Sequence, residues 1–88
     1  MNQFYVYVLE SQASHRIYIG QTNNVENRLE RHNSGRVVST RKKDPWRLLG
    51  FWKCETRSEA MKLEAKLKKL KDPELVRHLL KADNRIVE

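Results

Sequence analysis

Two short segments near the N-terminus constrain the fold of this chain most strongly. FYVYVLE, residues 4–10, and RIYIG, residues 16–20, both alternate side chains with the two-residue period of a β-strand. The polar SQASH, residues 11–15, lies between them, and a connection of this length is typical of a hairpin. The sequence therefore predicts that the chain begins with two antiparallel strands.

The remaining sequence predicts one more strand and three helices. Residues 23–35 have an asparagine N-cap and a glycine stop around a helical pattern, and residues 46–55 have the aromatic content of a strand, with Gly50 as a candidate bulge. The TRSE capping sequence opens a long helix over residues 56–71, and an Asp-Pro pair starts a short helix over residues 73–81. The predicted order is β-β-α-β-α-α, an α+β fold in which a small three-stranded antiparallel sheet is flanked by helices.

The length of 88 residues is enough for one hydrophobic core. We therefore expect a single domain over residues 1–88, with the sheet and the first two helices within residues 4–71. Residues 36–45 contain four basic side chains and little periodicity, which predicts a solvated loop.

The charge of the chain points to a polyanionic partner. Lysine and arginine number 18 against 11 acidic residues, a formal net charge of +7, and nucleic acid is the first candidate for such a surface. A membrane is a weaker candidate, because no apolar run approaches the roughly 20 residues that span a bilayer and Glu10 stands in place of a basic signal region. A soluble cytoplasmic protein without a membrane partner is expected. The single cysteine, Cys54, predicts a buried side chain and no internal disulfide, and with three scattered histidines it makes no zinc pattern.

The two predicted strands bring tyrosines together. Tyr5 and Tyr7 share one face of the first strand, and a hairpin can place Tyr7 beside Tyr18 of the second. Gly20 is expected to leave open space beside these rings. Because a tyrosine on a strand is more often a packing residue than a functional one, the tyrosines alone do not identify a site.

Three further side chains extend this cluster. Arg28 and His32 are four residues apart on the first helix and are expected to lie over the end of the sheet. His32 is equally consistent with a helix-end cap. Glu64 borders the apolar stripe of the second helix and is the acidic residue best placed to be half buried. On its own, Glu64 predicts only an ion pair with Lys68 one turn later.

Taken in order, these residues resemble the GIY-YIG nucleases, a family that includes homing endonucleases, restriction enzymes and the incision subunit of bacterial nucleotide-excision repair. YVY at residues 5–7 resembles the first half of the family motif, and YIG at residues 18–20 matches the second half letter for letter. NVENRLERHNSG, residues 24–35, resembles the arginine-bearing helix, and SEAMKLEAKLKKLK, residues 58–71, resembles the helix with the metal-binding glutamate. Four motif elements in this order are a far stronger signal than an isolated YIG.

The resemblance implies a DNA endonuclease of low sequence specificity that uses one Mg²⁺ or Mn²⁺ ion, similar to small single-domain members and related to enzymes of DNA repair. Structure-selective cleavage of branched DNA and action on RNA are left open, and a monomer is expected. The residues that the resemblance assigns are Tyr7, Tyr18, Arg28 and His32 to catalysis, Glu64 to the metal, and Tyr5 and Gly20 to the structural motif.

The chemistry of hydrolysis explains these residue types. A free tyrosine has a pKa of about 10, so cationic groups such as Arg28 and a hydrated metal ion are needed to favour the phenolate. One carboxylate is sufficient for Mg²⁺, which retains several of its water molecules. Whether Tyr7 or Tyr18 acts as the base is left open by the sequence.

Two departures from the family pattern bear on substrate and rate. The first motif lacks its glycine and isoleucine, and Gln21 stands where the repair subunit carries a lysine. A non-catalytic nucleic-acid-binding module on the same scaffold is therefore the alternative interpretation. In either case the basic loop can follow a nucleic-acid backbone without reading bases, and its candidate contact residues are Arg36, Arg41, Lys42 and Lys43.

Overall fold

The computed structural model describes residues 3–35, 37 and 45–83. Within them, three strands and three helices follow in the predicted order, so the α+β fold is confirmed. The part of the chain that is described contains no helix of the length and apolarity needed to cross a membrane. The elements are β1 Phe4–Ser11, β2 Ile17–Thr22, α1 Val25–Asn33, β3 Trp46–Cys54, α2 Arg57–Leu70 and α3 Pro73–Ala82.

The sheet has β1 at its centre, with β2 and β3 as antiparallel neighbours. β2 continues beyond its predicted end at Gly20, because Gln21 and Thr22 also pair with β1. In β3, Leu49 is an extra residue between the partners of two consecutive residues of β1. The bulge predicted around Gly50 is therefore present and involves the preceding residue.

Helices cover both faces of the sheet and divide the interior into two layers. The larger layer lies between the sheet and helices α2 and α3, and it includes Cys54, whose thiol pKa is raised by burial. The smaller layer lies under α1 and is built on Tyr7, Leu9 and Trp46. The predicted site tyrosines belong to this smaller layer.

Side-chain caps fix where each helix begins. Asn24, Thr56 and Asp72 accept hydrogen bonds from backbone N–H groups in the first turns of α1, α2 and α3, as N-cap residues do. Glu59, the last residue of the predicted capping sequence TRSE, also contributes to the cap of α2. Its carboxylate accepts from the N–H of Glu55, the residue before the N-cap, at 3.2 Å. The helix starts are thus set by the side chains that the sequence indicates.

Asn33 joins the end of α1 to the start of β3. Its side-chain amide donates to the carbonyl of Trp46 at 3.0 Å, and its side-chain oxygen accepts from the N–H of Trp46 at 2.7 Å. This two-point contact holds the last turn of α1, which carries His32, against the sheet.

Candidate active site at the edge of the sheet

Two tyrosines and a histidine form the buried end of the candidate site. The Tyr7 hydroxyl lies 2.9 Å from Nε2 of His32, a hydrogen-bond distance, and the two residues are only 2 % and 0 % exposed. The half-buried Tyr18 ring meets the His32 ring edge-on, with centroids 4.7 Å apart. The rings of Tyr7 and Tyr18 have centroids 6.2 Å apart. The structure thus brings the two strand tyrosines together with His32 of α1.

Gly20 lies directly opposite Tyr7 in the antiparallel pair of β1 and β2. The expectation that Gly20 leaves open space is wrong, because the Tyr7 phenol lies across it. A Cβ atom at this position would be 2.6 Å from the phenol oxygen of Tyr7. Glycine is required here because the phenol needs this space to reach His32.

Burial keeps this pair of side chains uncharged near neutral pH. Loss of solvent raises the pKa of the Tyr7 phenol well above its usual value, and the neighbouring Tyr18 acts in the same direction. Burial, together with the charges of Arg28 and Arg31, lowers the pKa of His32 from 6.5 to about 4. A single hydrogen atom, from the phenol or from the imidazole, therefore joins two neutral groups.

The lowered pKa of His32 predicts that the folded protein loses stability in mild acid. The unfolded chain binds a proton at this histidine below pH 6.5, whereas the folded protein does so only below about pH 4. The stability that neutral His32 contributes is therefore complete above pH 6.5 and is lost as the pH falls to 4, by roughly 3 kcal/mol. Urea unfolding of wild type and His32→Gln at pH 7 and pH 4 measures this difference. His78→Gln, which replaces an exposed histidine, is the control. The same pH dependence in wild type and His32→Gln would show that His32 is not its source.

Arg28 of α1 reaches a polar cavity of about 370 Å³ at the end of the sheet. The cavity is also lined by Gln21 and Thr22 from β2 and by Arg57 and Met61 from α2. No carboxylate in the described ranges forms an ion pair with Arg28. An accessible guanidinium of this kind is well suited to bind phosphate.

Glu64 of α2 contacts the edge strand β2 through Gln21. Its side chain is 18 % exposed, which agrees with the predicted half-burial. Oε1 accepts a hydrogen bond from Nε2 of Gln21 at 3.0 Å, and Oε2 forms the predicted ion pair with Nζ of Lys68 at 2.6 Å. These two contacts fix the orientation of the carboxylate.

A hydrated divalent cation fits the Glu64 carboxylate. Each carboxylate oxygen can accept more than one contact, and Mg²⁺ is commonly held by one or two carboxylates with several retained waters. Within residues 3–35, 37 and 45–83, no group of three or more histidine, cysteine, aspartate or glutamate side chains is arranged to hold a metal. A metal site built from these residues would therefore consist of Glu64, water and substrate oxygens.

The remaining predicted residues lie at the margin of the site or outside the described chain. Tyr5 is half buried and packs edge-on against Phe51, with centroids 5.6 Å apart. Tyr5 does not line the cavity that Arg28 reaches. The four candidates for backbone contacts with nucleic acid, Arg36, Arg41, Lys42 and Lys43, lie outside the described residues.

Comparison with known proteins supports the family resemblance that the order of the motifs indicates. The family model of the GIY-YIG catalytic domain matches residues 3–77. The chain belongs to the GIY-YIG family. This match includes β1, β2, α1 and α2, the elements that carry the candidate site, and GIY-YIG membership implies a nuclease-family function.

The GIY-YIG relatives include small proteins named UPF0213. The UPF0213 protein OB0043 of Oceanobacillus iheyensis is 39 % identical over 69 residues, which cover 77 % of this chain and 79 % of the relative. The UPF0213 protein lin0209 of Listeria innocua is 41 % identical over 70 residues, which cover 78 % of this chain and 77 % of the relative. The solution NMR structure of the UPF0213 protein BH0048 from Bacillus halodurans is 32 % identical, has a TM-score of 0.57, and covers 91 % of this chain and 84 % of that one.

Three residues that shape the site of this GIY-YIG protein are not predicted as site residues: Gln21, Asn33 and Arg57. For Gln21, strand alternation is a usable signal, because the neighbour of Gly20 must face α2 and hence Glu64. For Arg57, the signal is its position seven residues before Glu64, since two helical turns return to the same side of α2. Asn33 has no such signal, because its contact with Trp46 joins residues 13 positions apart in the sequence.

Proposed function

We propose that this protein is a divalent-metal-dependent endonuclease that hydrolyses phosphodiester bonds in DNA with low sequence specificity. The observation that best supports this function is the proximity of Arg28 and Glu64, which both lie beside Gln21 and whose charges both act on the phenol of Tyr7, the neighbour of Tyr18. In this proposal Tyr18 accepts the proton of the attacking water as its phenolate, Arg28 binds the scissile phosphate, and Glu64 holds one Mg²⁺ or Mn²⁺ ion.

The proposed reaction explains why the Arg28 guanidinium lies close enough to the tyrosines for its charge to act on Tyr7. Hydrolysis of a phosphodiester requires removal of a proton from water and stabilisation of negative charge on the phosphoryl oxygens. The guanidinium of Arg28 presents paired N–H donors to those oxygens. A metal ion bound at Glu64 would supply Lewis-acid stabilisation of the same charge.

Burial assigns the two tyrosines different tasks in this proposal. Tyr7 is buried and its pKa is raised, so its phenol keeps its proton and positions His32. Tyr18 is only half buried and also lines a cavity of about 350 Å³ at the edge of β2, where water has access. Tyr18 is therefore the proposed base, with His32 packed edge-on against its ring.

The charge of the chain supports nucleic acid as the partner. A net charge of +7 attracts a polyanion, and contacts to backbone phosphates carry no sequence information directly. We assign such contacts to the basic residues of the segment 36–45, which accounts for low specificity. A cytoplasmic monomer that acts on branched DNA during repair is the setting we propose. The residues concerned are Arg36, Arg41, Lys42 and Lys43.

The proposal is tested by incubating purified protein with end-labelled duplex, single-stranded and flap DNA in Mg²⁺, Mn²⁺ or EDTA. Cutting that requires either metal and stops in EDTA supports the function. Intact DNA in every metal-containing reaction would refute it. Tyr18→Phe, which keeps the ring and loses the hydroxyl, is purified in the same way to exclude a contaminating nuclease.

A non-catalytic nucleic-acid-binding module is the second candidate function. It is favoured by the engagement of both carboxylate oxygens of Glu64 with Gln21 and Lys68, where a metal ion would otherwise bind. Such a module would bind DNA with a steep salt dependence that neither EDTA nor Glu64→Ala changes. Metal-dependent cutting of DNA would exclude it.

Lys68 is expected to compete with the metal ion for Glu64. Its ammonium nitrogen lies 2.6 Å from Oε2, so a metal ion at this oxygen must displace or share it. Lys68→Gln should therefore tighten metal binding by about two- to fivefold, the value of an exposed ion pair. Electron paramagnetic resonance of Mn²⁺ titrated into DNA-free protein measures the affinity. Lys69→Gln is the control, and equal affinities in the two variants would rule out competition.

A further inference from the structure

One side of α2 carries a row of side chains that leads into the cavity reached by Arg28. The spacing of four, three and four residues along this row keeps its members on one side of the helix. Arg57 and Met61 line the cavity together with Arg28, and Met61 is 54 % exposed. Glu64 continues the row, so the cavity adjoins the proposed metal site. The members of the row are Arg57, Met61, Glu64 and Lys68.

The two arginines of this cavity are not neutralised. Within the described parts of the chain, neither Arg28 nor Arg57 forms an ion pair with a carboxylate. Arg57 lies over the ring of Phe4, with its guanidinium carbon 5.4 Å from the ring centroid. By contrast, Arg77 pairs with Glu10 at 2.6 Å. Two guanidinium groups in one cavity repel each other, and an anion bound in the cavity would replace this repulsion by attraction.

The lining of the cavity favours phosphate as that anion. Gln21, Thr22 and Asn23, at the end of β2, contribute polar groups beside the two guanidinium groups. Arginine matches phosphate oxygens with paired donors. The net charge of +7 favours a phosphate that belongs to a polyanion over a free one.

We propose that the part of the cavity at Arg57 binds the DNA phosphate next to the scissile phosphate, which Arg28 holds, and that Arg57 is a substrate-binding residue. Arg57 and Glu64 are seven residues apart, about 10 Å along the helix, so the phosphate at Arg57 is not the one at the metal. Met61 lies between them and offers an apolar surface to the intervening sugar. The inference rests on the proposed function for the position of the scissile phosphate, whereas the phosphate site itself is tested by binding alone.

The experiment measures fluorescence anisotropy of labelled flap DNA in EDTA, where no metal-dependent cleavage occurs, over a range of KCl concentrations. Arg57→Gln is expected to weaken binding about tenfold, as loss of a charge-assisted hydrogen bond does, and to reduce the slope of log K against log salt by about 0.7 to 0.9. Arg57→Lys should keep the slope but bind more weakly than wild type, because it loses the paired donors. Lys66→Gln removes the same charge from the opposite, exposed side of α2 and should stay within about twofold of wild type.

The outcomes separate this site from the nuclease activity. Equal effects of Arg57→Gln and Lys66→Gln would overturn the phosphate site, as would a wild-type protein that binds no DNA. Binding that depends on Arg57 without metal-dependent cutting supports the phosphate site and refutes the nuclease. Metal-dependent cutting with binding that is indifferent to Arg57 supports the nuclease and overturns the phosphate site.

Discussion

Glu64→Gln is expected to lower the rate of single-turnover DNA cleavage by at least about a hundredfold, a typical effect of removing one charge-stabilising group from an active site. The substitution keeps the shape of the side chain and an oxygen that can accept from Gln21. It removes the negative charge that a divalent cation requires. Because Glu64 is partly exposed on α2, the fold should remain intact.

The rate is measured with protein in excess over end-labelled flap DNA in Mg²⁺, and DNA affinity is measured on the same preparations. Glu74→Gln is the matched control, since it makes the same charge change at a side chain that is 86 % exposed. We expect Glu64→Gln to bind DNA and Glu74→Gln to cut at the wild-type rate. Cleavage by Glu64→Gln at more than half the wild-type rate would remove Glu64 from the proposed metal site.

Gly20→Ala is expected to destabilise the folded protein by about 2 to 6 kcal/mol and to stop cleavage. The new methyl group would lie 2.6 Å from the phenol oxygen of Tyr7 and 2.8 Å from its Cζ. Tyr7 is 2 % exposed, and overfilling a packed interior costs about 1 to 3 kcal/mol. Displacement of the phenol also breaks its hydrogen bond with His32, which adds about 1 to 3 kcal/mol for a buried polar group left unpaired.

Urea unfolding of Gly20→Ala in two backgrounds tests this cause. Tyr7→Phe removes the atom nearest the new methyl group, so Gly20→Ala should cost less in the Tyr7→Phe background than in wild type. Identical costs in the two backgrounds would show that Gly20 is required for another reason. A cost below about 1 kcal/mol in wild type, ordinary for a single substitution, would be equally incompatible with the close packing of Tyr7 on Gly20.

The order of elements could be predicted because its signals are local. The N-caps Asn24, Thr56 and Asp72 act within one turn of their own helices, and the structure uses all three. The end of β2 could not be predicted, because a glycine followed by polar residues is typical of a turn. Here Gln21 and Thr22 remain paired with β1, since an edge strand with one open side accepts polar residues.

Some features of the candidate site are likewise predicted by local sequence, and others are determined only by the tertiary fold. The association of Tyr7, Tyr18 and His32 follows from a hairpin and the helix that comes next, so the spacing of residues predicts it. The packing of Tyr7 over Gly20 depends on a hydrogen bond across the fold and has no local signal. For Arg57, the seven-residue spacing to Glu64 indicates only a shared side of α2, because a basic residue at a helix start is typical of a solvated surface. Only the folded chain places Arg57 in one cavity with Arg28.

One experiment decides whether Tyr18, Arg28 and Glu64 form a single metal-dependent cleavage site. Wild type, Tyr18→Phe, Arg28→Gln and Glu64→Gln, each confirmed folded by circular dichroism, are compared in single-turnover cleavage of end-labelled flap DNA at saturating protein. We predict that wild type cuts in Mg²⁺ or Mn²⁺ and not in EDTA, and that each variant binds the DNA but cuts at least about a hundredfold more slowly. No cutting by wild type, or cutting that survives all three substitutions, would show that these residues do not form a nuclease site.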